Sequence, residues 1–406
     1  MWARALAVSL VVALAACGSA DTSTTPAGDT PTTAAASARP AGGDWLPPAT
    51  NELGFDLLDE LGDGGNVVLS PLSVAMVLAM LLHGADGATA EALAAVLRAD
   101  GRDETAVSES IVAVLEVLRT TDEVEVDVAS SVWADDAAPI LPTYGERLRS
   151  TFDATVEATD LGAPSAAEMI DAWVREAKND QLDGIASELG VPDPALLVVL
   201  VNAVQFEGTW TTSFDPGLTA DAPFTLADGT TISVPMMRRA GDVARARGEG
   251  FEVARLPYGA GSRFALDVVL PDGPIADLDL TVENLAAAVA TLESRPTELA
   301  LPRLDVDYTT PGRRLDEALD RLGLGIAYGA DADFSRLSEA APALSRVVHK
   351  TRIRLHEAGT SAAAATGAGM RSGPEPLVID RPFLFTITDT ATGTALFVGV
   401  LADPRG

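Results

Sequence analysis

Few residues in this 406-residue chain are suited to classical enzyme chemistry: three histidines, His83, His349 and His356, and two lysines, Lys178 and Lys350. A serine hydrolase of the nucleophile-elbow type needs G-x-S-x-G, which does not occur. A zinc protease needs two histidines one helical turn apart, but His356-Glu357 runs on into Ala358-Gly359-Thr360, so the second ligand is missing. A phosphate-cradling loop needs lysine directly after glycine, and neither lysine follows one. No enzyme, metal or cofactor is expected. A different kind of chemistry is legible in Glu357-Ala358-Gly359-Thr360-Ser361-Ala362-Ala363-Ala364-Ala365-Thr366. These are small, β-compatible residues that could be buried between two strands, and they run on through Gly367, Gly369, Gly373 and Pro374 as a loop. Read alone, the stretch is equally an alanine-rich run in a linker or helix.

The elements that would have to hold such a loop can be followed along the chain. Asn66-Val67-Val68-Leu69 is a short apolar strand, and Ser70-Pro71 supplies an N-cap and a first-turn proline. Leu72, Ala75, Met76, Ala79 and Met80 follow at helical spacing, so a buried helix is expected to about His83, with Gly84 stopping it. Leu256-Pro257-Tyr258 and Leu270-Pro271 mark strand ends, Leu301-Pro302-Arg303 begins another strand, and Val347-Val348-His349-Lys350 is apolar enough for a buried one.

The phrase from Asn66 to Thr89, the run Val201-Asn202-Ala203-Val204-Gln205-Phe206-Glu207-Gly208-Thr209-Trp210, and the segments Phe214-Asp215-Pro216, Val234-Pro235-Met236-Met237, Asp333-Phe334-Ser335 and Pro382-Phe383-Leu384-Phe385 occur in an order and spacing that resembles the serpins, a family of protease inhibitors. The resemblance covers roughly Leu53 to Pro404. It implies an α+β fold with a large central mixed β-sheet, smaller sheets, surrounding helices and an exposed reactive-centre loop. It also implies suicide inhibition, in which a serine protease cleaves the loop and is trapped covalently as the loop enters the sheet.

On this resemblance Glu357, Gly359, Thr360, Ser361, Ala362, Ala363, Ala364, Ala365 and Thr366 form the inserting hinge. Ser70, Ser73, Asn202 and His349 match a polar cluster beneath the middle of the sheet, Trp210 matches a tryptophan where the loop first enters, and Arg303 pairs with Glu357 at the loop's base. Taken singly, each is also an ordinary core or cap residue, and an exposed ion pair would contribute at most about 1 kcal/mol. The chain departs from the family at Ser130, where asparagine is more usual, and in a loop about two residues shorter. That shortening makes two counts disagree: one places the cleaved bond after Gly373, the other after Arg371. Arg371-Ser372 presents a cation to an acidic pocket such as that of trypsin-like enzymes, whereas Pro374 would obstruct cleavage after Gly373. Met370 is the alternative for an elastase- or subtilisin-like target, and inhibition of cysteine proteases is a further alternative that the resemblance leaves open. A non-inhibitory, ligand-carrying serpin is the other reading, though no proline or charge interrupts the hinge between Gly359 and Gly369.

Composition bounds the setting. With 28 basic against 59 acidic side chains the formal charge is −31, which argues against nucleic acid and against heparin-like polyanions as partners. Cys17 is the only cysteine, so no intrachain disulfide can form. It closes an apolar run, Leu14-Ala15-Ala16-Cys17, that is similar to a bacterial lipoprotein signal. The expectation is a signal over residues 1–16, a diacylated Cys17 heading a flexible tether to about Pro48, and a serpin domain from Ala49 to Gly406. The protein would then be extracellular, lipid-anchored to the cell membrane and monomeric.

Overall fold

The computed structural model describes residues 45–121, 123–177, 185–358 and 374–405. In chain order the elements are α1 (Leu46–Leu61), β1 (Val67–Leu69), α2 (Pro71–Gly84), α3 (Gly87–Val96), α4 (Glu104–Thr120), β2 (Val124–Ala134), α5 (Pro142–Phe152), β3 (Thr155–Ala158), α6 (Pro164–Ala177), α7 (Ala186–Leu189), β4 (Val198–Gly208), β5 (Ala220–Thr225), β6 (Thr231–Gly248), β7 (Phe251–Tyr258), β8 (Phe264–Pro271), α8 (Val282–Val289), β9 (Glu293–Pro302), β10 (Leu304–Thr309), α9 (Arg314–Leu319), β11 (Arg346–Leu355), β12 (Glu375–Val378), β13 (Phe383–Asp389) and β14 (Thr394–Leu401).

Two sheets organise them. The first runs β10-β11-β4-β2-β3 and is mixed: β11 and β4 are parallel, while β4 and β2 are antiparallel. The second runs β1-β14-β13-β8-β7-β6-β9-β12, with β5 added on β6. The long strand β6 makes it one sheet, pairing with β9 through its middle and with β7 at its end.

β4 lies at the centre of the first sheet and its first half is covered on both sides, so Val198-Val199-Leu200-Val201 is an apolar run rather than an alternating one. Val199, Val201 and Ala203 face Ile170 and Val174 of α6, whereas Leu200, Val204 and Phe206 join the main core. α2 is apolar all round and every residue of it is buried, as such a helix must be. Ser70 Oγ accepts from Ser73 N (3.4 Å), and Pro71 occupies the first turn, where its missing N–H has no cost. Gly84 belongs to the helix rather than stopping it. A Cβ there would lie 2.8 Å from Leu337 and 3.0 Å from a Tyr144 ring carbon, so glycine permits close packing.

Two boundaries differ from those read in the sequence. The fold begins at α1, with Leu46 buried, and residues 45–48 belong to it rather than to the tether. Pro47 and Pro48 fall in the first helical turn, where proline is tolerated. Trp45 is tied in by its indole N–H on Ser110 Oγ (3.2 Å) and by the Arg102 guanidinium 4.5 Å over its ring. Likewise Leu301-Pro302 ends β9 instead of opening a strand, and Arg303 links β9 to β10 with its N–H on Pro235 O.

Candidate functional site

The seam between β4 and β11 carries the functional geometry. The two strands pair directly from Arg346↔Val199 to Arg354↔Glu207. On the inward face of this seam Asn202 and His349 are register partners, both buried. His349 Nδ1 lies 2.7 Å from Asn202 Oδ1, and the Ser70 backbone N–H donates to His349 Nε2 at 3.0 Å. A nitrogen that accepts from an amide must be unprotonated, so the proton sits on Nδ1 and points at Asn202. Burial lowers the imidazole pKa to about 3, consistent with a neutral ring. Asn202 Nδ2 in turn donates to Ser130 Oγ (2.9 Å) on β2, and Ser70 Oγ donates to Ser73 Oγ (3.1 Å).

The structure therefore brings Ser70, Ser73, Asn202 and His349 together. Sequence reading set Ser130 apart as a departure, but it completes the relay from α2 through β11 and β4 to β2. The signal was available: in Val124-Glu125-Val126-Asp127-Val128-Ala129-Ser130, the alternation places Ser130 on the inward face with the valines. Thr310 was also missed. Its Oγ1 accepts from His349 N (3.1 Å), and its N–H donates to His349 O (2.9 Å), which fixes the backbone beneath the imidazole.

At the upper end of the seam Trp210 is 1% exposed and stacks on Tyr258, with centroids 4.4 Å apart. It holds the segment after β11 at two points: its indole N–H donates to His356 O (2.6 Å) and its backbone N–H to Ala358 O (3.0 Å). Phe214 N donates to Glu357 O (3.0 Å) as well.

The Glu357 carboxylate is not the exposed group expected, being 7% exposed. It forms an ion pair with Arg303 and accepts from Thr219 Oγ1 (2.6 Å). Burial alone would raise its pKa, but the Arg303 and Thr219 hydrogen bonds outweigh that and hold it below the ordinary value. Thr219 had no sequence signal, since it meets Glu357 only through the tertiary fold.

Gly359, Thr360, Ser361, Ala362, Ala363, Ala364, Ala365, Thr366, Met370, Arg371, Ser372 and Gly373 lie outside the described residues, as does Cys17. β11 ends at Leu355; the described chain runs on to Ala358 and resumes at Pro374 ahead of β12, which lies in the other sheet beside β9.

The comparisons agree with this arrangement. The family model described as "Serpin (serine protease inhibitor)" matches residues 48–404. The chain is 30% identical to Serpin-ZXA of Oryza sativa subsp. japonica, over 84% of this chain and 91% of that protein. It is 30% identical to glia-derived nexin of Homo sapiens, over 84% of this chain and 88% of that one. Among solved structures, uncleaved ovalbumin superposes with a TM-score of 0.82 at 26% identity, covering 88% of this chain and all of that chain. Native protease nexin-1 with heparin superposes with a TM-score of 0.77 at 26% identity, over 88% of this chain and all of that chain. Family model, relatives and fold concur: the chain belongs to the serpin family.

Proposed function

We propose that this serpin inhibits serine proteases as a suicide substrate, with the protease cleaving the loop after Arg371 and the hinge from Gly359 to Thr366 then entering the β4/β11 seam. The observation that carries the proposal is how that seam is closed. Of the polar relay, one side-chain hydrogen bond, His349 to Asn202, crosses it. Parting the strands breaks that bond but leaves His349 on Ser70 and Asn202 on Ser130, so neither buried group loses every partner. The seam is also the parallel pairing next to which β11 runs out into the loop, and a strand turning back from Ala358 would be antiparallel to both neighbours. One parallel ladder would be replaced by two antiparallel ones. For about 15 residues the added ladder contributes on the order of 10 kcal/mol, at roughly 1 kcal/mol net per hydrogen bond. Such a strand extends about 50 Å at ~3.3 Å per residue, enough to carry an acylated protease across the molecule.

The target we infer is trypsin-like, from Arg371, with Met370 pointing to an elastase- or subtilisin-like one instead. A ligand-carrying role is the second reading; the chain shares the fold, at 24% identity and a TM-score of 0.79, with human thyroxine-binding globulin. We further propose that Cys17 is lipidated and tethers the domain to the outside of the cell membrane as a monomer. The structure of nexin-1 holds heparin, whereas the charge of −31 leads us to propose that this chain does not bind such a polyanion. Incubation with a protease panel, followed by denaturing electrophoresis, tests the inhibitory reading: a complex that survives denaturation supports it, and clean cleavage without a complex by every protease counts against it.

A further inference from the structure

The second sheet has an open face beside β12, the strand that follows the loop. Register partners on neighbouring strands share a face, so Val378 on β12, Ala300 on β9 and Arg238 on β6 form one row, and Pro376, Glu298 and Ala240 form the next. Ala300 is buried between its neighbours, and the other five residues are exposed. Val378, at 37% exposure, is one of three large apolar side chains left open among the described residues. Two strand spacings, about 10 Å, separate it from Arg238. Neither Arg238 nor Glu298 forms an ion pair among the described residues. An apolar patch edged by an arginine and a carboxylate has the make-up of a protein–protein contact.

Chain length says what would cover the patch. Pro376 follows Arg371 by five residues and Val378 follows it by seven, so they lie at most about 17 and 24 Å along the chain from the bond assigned above as the cleaved one. A protease domain of about 230 residues is about 45 Å across, a footprint of about 22 Å in every direction from its centre. A protease that holds Arg371 in its specificity pocket therefore meets this face with surface well away from that pocket, on the side that receives the chain after the cleaved bond.

We propose that Val378, Arg238 and Glu298 form a second contact for the target protease, with Arg238 meeting a carboxylate, Glu298 a cation and Val378 an apolar side chain of that enzyme. Such a contact selects among proteases that share a preference for arginine, which Arg371 alone does not separate. The proposal rests on the inhibitory reading for the identity of its partner, but docking is measurable without inhibition.

Binding of the intact chain to a panel of trypsin-like proteases whose catalytic serine is replaced by alanine tests this, because such enzymes dock without cleaving. For a protease that binds, Arg238→Glu and Glu298→Arg should each raise Kd about tenfold at low salt, and molar salt should shrink both effects. Val378→Ser should raise Kd about fivefold at either salt, as loss of an apolar contact does. Glu91→Lys, a charge reversal at an exposed position on α3, should leave Kd within about twofold of wild type. Values within about twofold of wild type in all three patch variants, an equal loss in Glu91→Lys, or binding to no protease of the panel would overturn the proposal. Denaturation-resistant complexes with the active enzymes are scored separately: docking without trapping would refute the inhibitory reading and leave this contact standing.

Discussion

His349 and Asn202 are register partners on adjacent parallel strands, and the 2.7 Å contact between their side chains lies beneath the seam that the proposed mechanism must open. His349→Leu would leave the Ser70 N–H and the Asn202 carbonyl without their partner in a buried site. A loss of about 3 kcal/mol in unfolding free energy is expected for two orphaned polar groups. Denaturant melts measure it, and a loss within a few tenths of a kcal/mol would show that the relay is dispensable.

The same ring gives the protein a pH dependence with a definite sign. With its folded pKa lowered to about 3, His349 stays neutral in the fold while the unfolded imidazole protonates near 6.5. The unfolded state therefore binds the extra proton between those values, and stability falls as pH drops through 6.5, by about 2 kcal/mol at pH 5 from this residue. Burial raises Asp316 to about 6, which works in the opposite direction over part of that window, so wild type alone shows only the balance. The decisive quantity is the difference between wild type and His349→Gln: the fall in stability between pH 7 and pH 5 should be shallower in the variant, and parallel curves would contradict the assignment.

Glu357→Gln should weaken the anchoring of the loop's base by about 1 kcal/mol, a figure kept small because Arg303 is half-exposed. The expected result is a modestly lower melting temperature together with faster spontaneous loss of inhibitory activity. A variant as long-lived as wild type would detach the ion pair from the loop's control.

Much of this site was legible in the sequence because it is carried by local rules. Ser70-Pro71 before a largely apolar run reads as the cap of a buried helix, and Val198-Val199-Leu200-Val201 before Asn202 reads as a strand covered on both faces. The relay partner Ser130 could have been found by counting alternate residues. Other features depend on contacts between distant segments: Thr219 reaches Glu357 across 138 residues, and Phe214 and Trp210 hold the backbone of Glu357 and Ala358 through their N–H groups. The start of the fold was misplaced for a simpler reason. A pair of prolines reads as linker until Leu46 is seen to be buried and Trp45 to be tied to α4.

Insertion can be blocked without touching the cleaved bond. Thr360→Arg places a charge between strands, and Ala362→Pro removes a ladder donor. Each variant should be cleaved at the wild-type rate yet release active protease. Full trapping by both would refute insertion as the mechanism.

If Cys17 is acylated, Cys17→Ser should move the protein from the membrane fraction to the soluble fraction or leave it unprocessed. Fractionation of cells expressing both forms decides this, and unchanged membrane association of the variant would remove the anchor from the account.

The central claim is tested most directly by mass spectrometry of the products formed with a trypsin-like protease. The account predicts a covalent complex that survives denaturation together with a released C-terminal fragment beginning at Ser372. A fragment beginning at Arg371 or Pro374, or cleavage with no covalent complex, would contradict it.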